Sequence, residues 1–592
     1  MYRKQDEHLY SLLGLFLEKC VLSNDSILTN HSNCFTADNI NDCITRFVEN
    51  YKDDKRNYEG KIQEQFNGAT DDVKVVFAHV NWLWAFSVDD MTAWGKKRAV
   101  QICLPPNVSL NDTRNGMPLF PADGFGSAGT YHKQNKYWEI VCILKILKHL
   151  KISAGANKLT TVDSLKSEID KICLFAKYDE SEEPAEDWQK DIRKIKNACA
   201  MYNILPYLCK PETYERITSD NHKRRIVDSF SSLLSPDDAT KNTDQKIYSI
   251  RTAINQLIQK DFDFYEGQIT VLWNPWLSDS EYNEIQGLSF KKNIILYGPP
   301  GTGKTFAAKW LAESFIIQKM IEKDKNKVKD YFEKKVDVSG RIRRLQLHSN
   351  YSYEDFIAGV TLKDGKTQST KGYFYRLCEE IDSDNNKAPY VLILDEINRI
   401  DLSRLFGEAF SEIENRDEEI DLPVGGGGFK LKIPANLCII GTMNEIDFSL
   451  ERLDFALRRR FVWFRYGYNT DTLSSIVKSK RTLNPVELND EDINTFIERA
   501  TRLNGKIAEL NELGKQYEIG HTFFAEIIDI ASQFSGRPGY MRKVKLFKSG
   551  GPAEVLWNIS LEPIIAAFLG NFDENQKNER IKEMREILVN GK

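Results

Sequence analysis

The stretch Asn293-Ile-Ile-Leu-Tyr-Gly298-Pro-Pro-Gly301-Thr-Gly303-Lys304-Thr305 decides the fold. Residues 294–297 form an apolar run long enough for one buried parallel strand. It leads straight into Gly-x-x-x-x-Gly-Lys-Thr, the phosphate-loop pattern. Gly298, Gly301 and Gly303 let the backbone curl, so that the loop they form with Pro299, Pro300 and Thr302 turns successive amides inward as a cradle. The helix that begins near Phe306 adds its positive N-terminal end. In this pattern Lys304 reaches the outer phosphates of a nucleoside triphosphate and the Thr305 hydroxyl binds Mg2+. A glycine-rich surface turn is the bland alternative, but here a strand precedes the loop and a helix follows it.

Working outward, a second apolar strand, residues 390–395, ends in Asp395-Glu396. Asp395 can hold the magnesium water shell beside Thr305, and Glu396 is placed to orient or deprotonate an attacking water. That arrangement means hydrolysis rather than transfer to a substrate. A third strand, residues 437–441, runs to Asn444, whose neutral amide can fix the same water. Arg458, Arg459 and Arg460 then stand consecutively before a last strand at 461–466. Three guanidiniums exceed what one site can satisfy. Presented to the triphosphate of an adjacent subunit, they would act as arginine fingers, while a surface basic run is the alternative. Strands alternating with helices at this spacing predict a parallel sheet with helices on both faces. Residues 420–433, with Gly425 to Gly428 at their centre, predict a hairpin.

The rest of the chain frames this core. Its 592 residues suggest three or four domains. A net charge of −5 argues against a strongly basic nucleic-acid binder over the whole chain. The ten cysteines are scattered without a Cys-x-x-Cys pair, a pattern that fits a reducing cytosol, so a cytoplasmic location is expected. No run of eighteen apolar residues predicts a membrane span. Residues 1–235 read as mostly helical. Within them the aromatic stretch 75–88 is flanked by Asp71, Asp72, Asp89 and Asp90, which favours a buried element over a base-stacking platform. The basic run His222-Lys223-Arg224-Arg225 is a solvated face or a nucleic-acid contact. Residues 236–285 read as a helical connector, and everything beyond about 470 as helical.

The order of loop, acids, Asn and arginines resembles the AAA+ superfamily. Closer details resemble the McrB family of GTPases from type IV restriction systems. These are Tyr351-Ser-Tyr-Glu-Asp-Phe356, Asp395-Glu-Ile-Asn-Arg399, Gly441-Thr-Met-Asn-Glu-Ile-Asp447, Ala456-Leu-Arg-Arg-Arg-Phe461 and Ile519-Gly-His-Thr-Phe523. The family pattern Met-Asn-x-x-Asp-Arg-Ser is matched by Asn444, Asp447 and Ser449, but Phe448 stands where the family has Arg. The resemblance covers about residues 286–592 and implies an AAA+ P-loop core over 286–470 and a small helical lid over 471–592; with the helical residues 1–235, expected to recognise a target or partner, the whole reads as a multidomain α/β protein. It implies a nucleotide-hydrolysing motor of a restriction or anti-phage complex, using GTP (ATP being the alternative) with Mg2+. It further implies a ring, expected to be a hexamer, that reaches DNA through a complex with an McrC-like nuclease subunit. Asn398 would then hold water or Glu396, or else cap a helix. Asp447 joins Phe306 and the loop as a nucleotide contact, and His521 is a structural histidine or a further one. The rival readings are an ATP-driven remodeller of the MoxR type and a nucleotide-gated adaptor.

Overall fold

Ile294, Ile295 and Leu296 have no exposed surface, which fits a strand covered on both faces. In the computed structural model they belong to β1 (Asn293–Gly298), one of five parallel strands. The others are β2 (Ile342–Gln346), β3 (Tyr390–Asp395), β4 (Leu437–Asn444) and β5 (Val462–Arg465). Their order across the sheet is β5-β1-β4-β3-β2. The strand carrying the phosphate loop and the strand carrying the acid pair are therefore separated by β4. In that register Asn444 lies opposite Gly298, and Gly441 opposite Leu394. All the predicted site residues on strands thus gather at one edge, the carboxyl ends, where open α/β sheets place their ligands.

The structure describes residues 3–50, 58–89, 91–125, 132, 135–179, 184–195, 199–267, 269–273, 284–333, 335–363, 366–424, 429–446, 455–483, 488, 490–510, 513–535, 544–570 and 572–591. Asp447, Phe448, Ser449 and the glycines 425–428 lie outside these. The chain divides into two units, Met1–Ile254 and Asn255–Lys592. In the second, the expected hairpin is present as Glu419–Leu422 paired with Phe429–Lys432. A further antiparallel hairpin, Ala358–Lys363 with Lys366–Lys371, is one that the sequence did not signal. Leu473 through Val589 build a separate hydrophobic cluster of helices, distinct from the cluster around the sheet.

The first unit is helical around one large core that includes Leu9, Phe16, Phe77, Trp82 and Tyr207. The aromatic stretch folds as the helix Asp71–Ala85, capped by Thr70, and Trp82 stacks on Phe86 at 4.3 Å. It is a buried element, with no open stacking platform. The basic run is only partly on the surface, with Arg224 exposed. Lys223 and Arg225 are buried, and the Lys223 ammonium donates to Asp244 at 2.5 Å and to Asn203 at 2.7 Å. All ten cysteines are buried free thiols. Among the described residues no helix is long and apolar enough to cross a membrane.

His79 shows how polar groups are settled in this core. Its Nδ1 lies 2.7 Å from the Val75 carbonyl, while Nε2 faces the backbone N–H groups of Ile27 and Leu28 at 3.2 and 3.4 Å. Those neighbours select the tautomer with Nδ1 protonated and Nε2 accepting. Burial lowers its pKa from 6.5 to about 4. The unfolded chain therefore binds the extra proton first, and the stability contributed by neutral His79 is lost as pH falls from about 6.5 to about 4. Over the full window the loss is about 3 kcal/mol. Urea unfolding of the protein across that range checks this, since His79→Gln should flatten the slope. An unchanged slope would show that another group carries the acid sensitivity.

Candidate functional site

The loop after β1 holds its curl with Gly298, Gly301 and Gly303 at φ values of 150°, 75° and 79°, a region that favours glycine. Lys304 opens the helix Lys304–Lys323. Its ammonium folds back to donate to the Gly298 carbonyl at 3.1 Å and the Pro299 carbonyl at 2.7 Å. Pro299 also accepts from the Thr302 hydroxyl at 2.9 Å. Burial lowers the Lys304 pKa to about 8, with Glu445 opposing. A polyanion entering the cradle would favour the charged form further by supplying a counter-charge. Phe306, just beyond Thr305, is 46% exposed and leans on Trp310 at 5.4 Å.

The structure brings Thr305 to Asp395, the first residue of the acid pair. The Thr305 hydroxyl donates to Asp395 Oδ1 at 3.1 Å, and Thr442 from β4 donates to the same oxygen at 2.8 Å. The guanidinium Nε of Arg344, on β2, donates to Asp395 Oδ2. A hydroxyl and a carboxylate converging in this way are hard oxygen donors of the kind Mg2+ takes, and a phosphate-bound Mg2+ keeps several waters and needs few protein ligands. The residues present fit that ion, and Thr305 and Asp395 are the ones that would hold it.

Glu396 sits in the left-handed region, φ 57° and ψ 48°. For a non-glycine residue this is a strained conformation that clusters at functional sites. Its N–H points to the Thr442 hydroxyl at 3.4 Å, and its carboxylate pairs with Arg399 at 2.5 Å. Asn398 is buried and donates through Nδ2 to the Asn444 carbonyl at 2.9 Å. Asn398 thus ties the acid turn to the tip of β4 rather than capping a helix. The Glu445 N–H donates to the Gly298 carbonyl at 3.1 Å, binding the end of β4 to the cradle.

The three consecutive arginines part company. Arg460, its side chain 11% exposed, lies 4.4 Å over the Phe410 ring and 3.7 Å from Glu414. Arg459 is 72% exposed and reaches Glu414 at 2.9 Å. Arg458 is exposed and lies 5.6 Å over Trp463. None of these partners belongs to the cradle or the acid pair.

The segment 519–523 comes back onto the phosphate loop. Asn504 holds Ile519 by both backbone groups, donating to its carbonyl at 3.0 Å and accepting its N–H at 2.8 Å. Thr522 then donates to the Gly301 carbonyl from its N–H at 3.1 Å and its hydroxyl at 2.9 Å. His521 is buried, and burial followed by the nearby Lys304 charge lowers its pKa to about 4, a backbone contact to Thr302 opposing. It is therefore neutral near pH 7 and stands beside the loop lysine. Of the motif 351–356, Phe356 is fully buried, stacked on Phe374 at 5.1 Å, and Tyr353 donates to Glu408 at 3.0 Å. Arg344, Thr442, Arg399, Asn504 and Thr522 were not assigned site roles from sequence. Only Thr442, Arg399 and Thr522 fall inside motifs that could have flagged them.

Residues 293–461 match the AAA domain of the dynein-related subfamily. The chain is 33% identical over 248 residues to the type IV methyl-directed restriction enzyme EcoKMcrB subunit of Escherichia coli K12, covering 40% of this chain and 49% of that protein. It is 28% identical over 174 residues to the proteasome-activating nucleotidase of Methanoregula boonei, covering 29% of this chain and 30% of that one. A RuvB mutant structure from Thermotoga maritima aligns at 17% identity and a TM-score of 0.27, covering 48% of this chain and 74% of that chain. The chain thus spans half or less of the length of these curated relatives. Over residues 293–461 the chain carries an AAA domain with the P-loop fold, and over the aligned 248 residues it is similar to the McrB subunit.

Proposed function

We propose that the chain is the GTP-hydrolysing motor subunit of an McrBC-like defence complex, working as a ring, expected to be hexameric, in which each triphosphate is clamped where two copies meet. The observation that carries this reading is the division of labour around one edge of the sheet. Lys304, Thr305, Asp395, Glu396 and Asn444 gather there, while Arg458 and Arg459 are exposed and contact Trp463 and Glu414 rather than the cradle of their own chain. The cradle and Lys304 hold the phosphates. Thr305 and Asp395 would hold Mg2+, which would supply charge neutralisation at the phosphates. Glu396, once its carboxylate leaves Arg399, accepts a proton from the attacking water, and Asn444 steadies that water. A neighbour's Arg458 or Arg459 then balances charge as the outer phosphate departs. Arg460, packed over Phe410, supports the fold of this edge. By this reading residues 1–235 recognise the target or a partner, DNA is handled through the complex, and cleavage falls to a separate McrC-like nuclease subunit.

Mixing experiments test the shared site. A double variant with Arg458→Ala and Arg459→Ala keeps its cradle, and Lys304→Ala keeps its fingers. Each alone should be nearly inactive, whereas an equal mixture should recover about a quarter of wild-type turnover, because one junction in four joins a good cradle to good fingers. No recovery at any ratio would rule out a site completed by a second copy. Turnover of GTP against ATP by the wild-type protein decides the base preference.

A further inference from the structure

Glu284 opens the helix Glu284–Lys291 just ahead of β1. It is 1% exposed, and its Oε1 accepts the Tyr466 hydroxyl at 3.0 Å. Its Oε2 is also buried and has no hydrogen-bond partner among the described residues. Tyr466 follows β5 directly, and its N–H donates to the Tyr297 carbonyl at 2.7 Å. The Tyr466 carbonyl presses so closely on Gly298 that a Cβ there would lie 2.2 Å from it. One tyrosine therefore joins a half-used carboxylate to the first residue of the phosphate cradle. A buried carboxylate oxygen without a donor is unfavourable, and a ligand that brings a donor to it would relieve that cost.

A triphosphate anchored at Lys304 carries a sugar and a base beyond the cradle. Guanine presents two adjacent donors on one edge, N1–H and the 2-amino group, which match the two oxygens of a carboxylate. Oε1 can still accept there, because each carboxylate oxygen has two lone pairs. Adenine offers an acceptor, N1, beside its 6-amino donor, so one of the two oxygens would face a lone pair. We propose that Glu284 is the specificity-determining residue for guanine, accepting from N1–H and the 2-amino group while Tyr466 fixes the carboxylate. This rests on the reading of the site as a GTPase.

The test uses full-length protein with Mg2+ and displacement of a ribose-labelled fluorescent nucleotide. Wild-type protein should bind ITP, which lacks the 2-amino group, about 10- to 100-fold more weakly than GTP. Glu284→Gln should lose GTP affinity by a similar factor and gain affinity for XTP, because an amide pairs one acceptor with N1–H and one donor with the 2-oxo group. A gain of XTP binding cannot arise from misfolding. Should Glu284→Gln fail to fold, the ITP comparison on wild-type protein decides. If wild-type protein binds ATP as tightly as GTP, the GTPase reading and this assignment fall together. If it prefers GTP but binds ITP equally well, or if Glu284→Gln keeps the GTP preference without gaining XTP, the Glu284 assignment alone is overturned.

Discussion

In the Glu396→Gln protein, steady-state nucleotide hydrolysis should fall about 10²- to 10⁴-fold, the usual contribution of a positioned general base. Nucleotide affinity should move by less than about threefold. The substitution preserves size and the hydrogen bond through which Arg399 holds the side chain. It removes only the ability to take a proton. The strained φ of 57° belongs to the backbone and is imposed by the turn that Asn398 ties to β4, so the amide should adopt the same position. The split between turnover and binding is the informative part. A merely structural residue would lower both, whereas loss confined to the chemical step marks a group acting in the transition state. Wild-type turnover in the variant would remove Glu396 from the reaction. Equal loss of binding and turnover would mark it as a support for the cradle.

The second large effect is expected from a single methyl group. Gly520→Ala would place its Cβ 2.2 Å from the Gly301 carbonyl carbon, 2.3 Å from the Pro300 oxygen and 2.4 Å from the Gly301 oxygen. Gly520 itself has φ −63° and ψ 149°, which any residue adopts, so the penalty is steric and has no conformational part. The atoms struck are backbone, and neither side can yield without moving. The two bonds from Thr522 to Gly301 should break, and segment 519–523 should lift from the phosphate loop. Overpacking of this kind costs about 1–3 kcal/mol, which predicts a loss of nucleotide affinity of about 5- to 150-fold if the seated segment shapes the cradle. Gly505→Ala provides the control. It lies in the helix Asp490–Glu509, where an added methyl group would meet nothing within 4 Å, and it should stabilise the protein by about 0.5–1 kcal/mol. Calorimetric binding of nucleotide to both variants separates the cases. Unaltered affinity in Gly520→Ala would mean that the contact between segment and loop is independent of the ligand.

How much of this was legible beforehand depended on distance along the chain. The cradle, its lysine and its hydroxyl sit within eight residues of one another, and the chemistry of phosphate binding is written in that order of types. Asp395 and Glu396 were legible because an apolar run ending in two acids is a local pattern. The alternation of strands and helices announced a parallel sheet, which the order β5-β1-β4-β3-β2 realises. The basic run at 222–225 misled because charge was read without its partners. Asp244 lies 21 residues beyond Lys223 and draws it inside.

Residue order alone was enough to single out the candidate groups: a phosphate-loop pattern, a hydroxyl and a carboxylate suited to a metal, a candidate base and a surplus of arginines. It took the folded chain to settle which arginines face outward, that Arg344 and Thr442 share the Asp395 carboxylate, and that Thr522 lands on Gly301 from 221 residues away. A motif reports which groups a short backbone segment can present. Partnership instead depends on which strands lie side by side and which side chains burial forces together, and those are set by the packing of segments far apart in the chain.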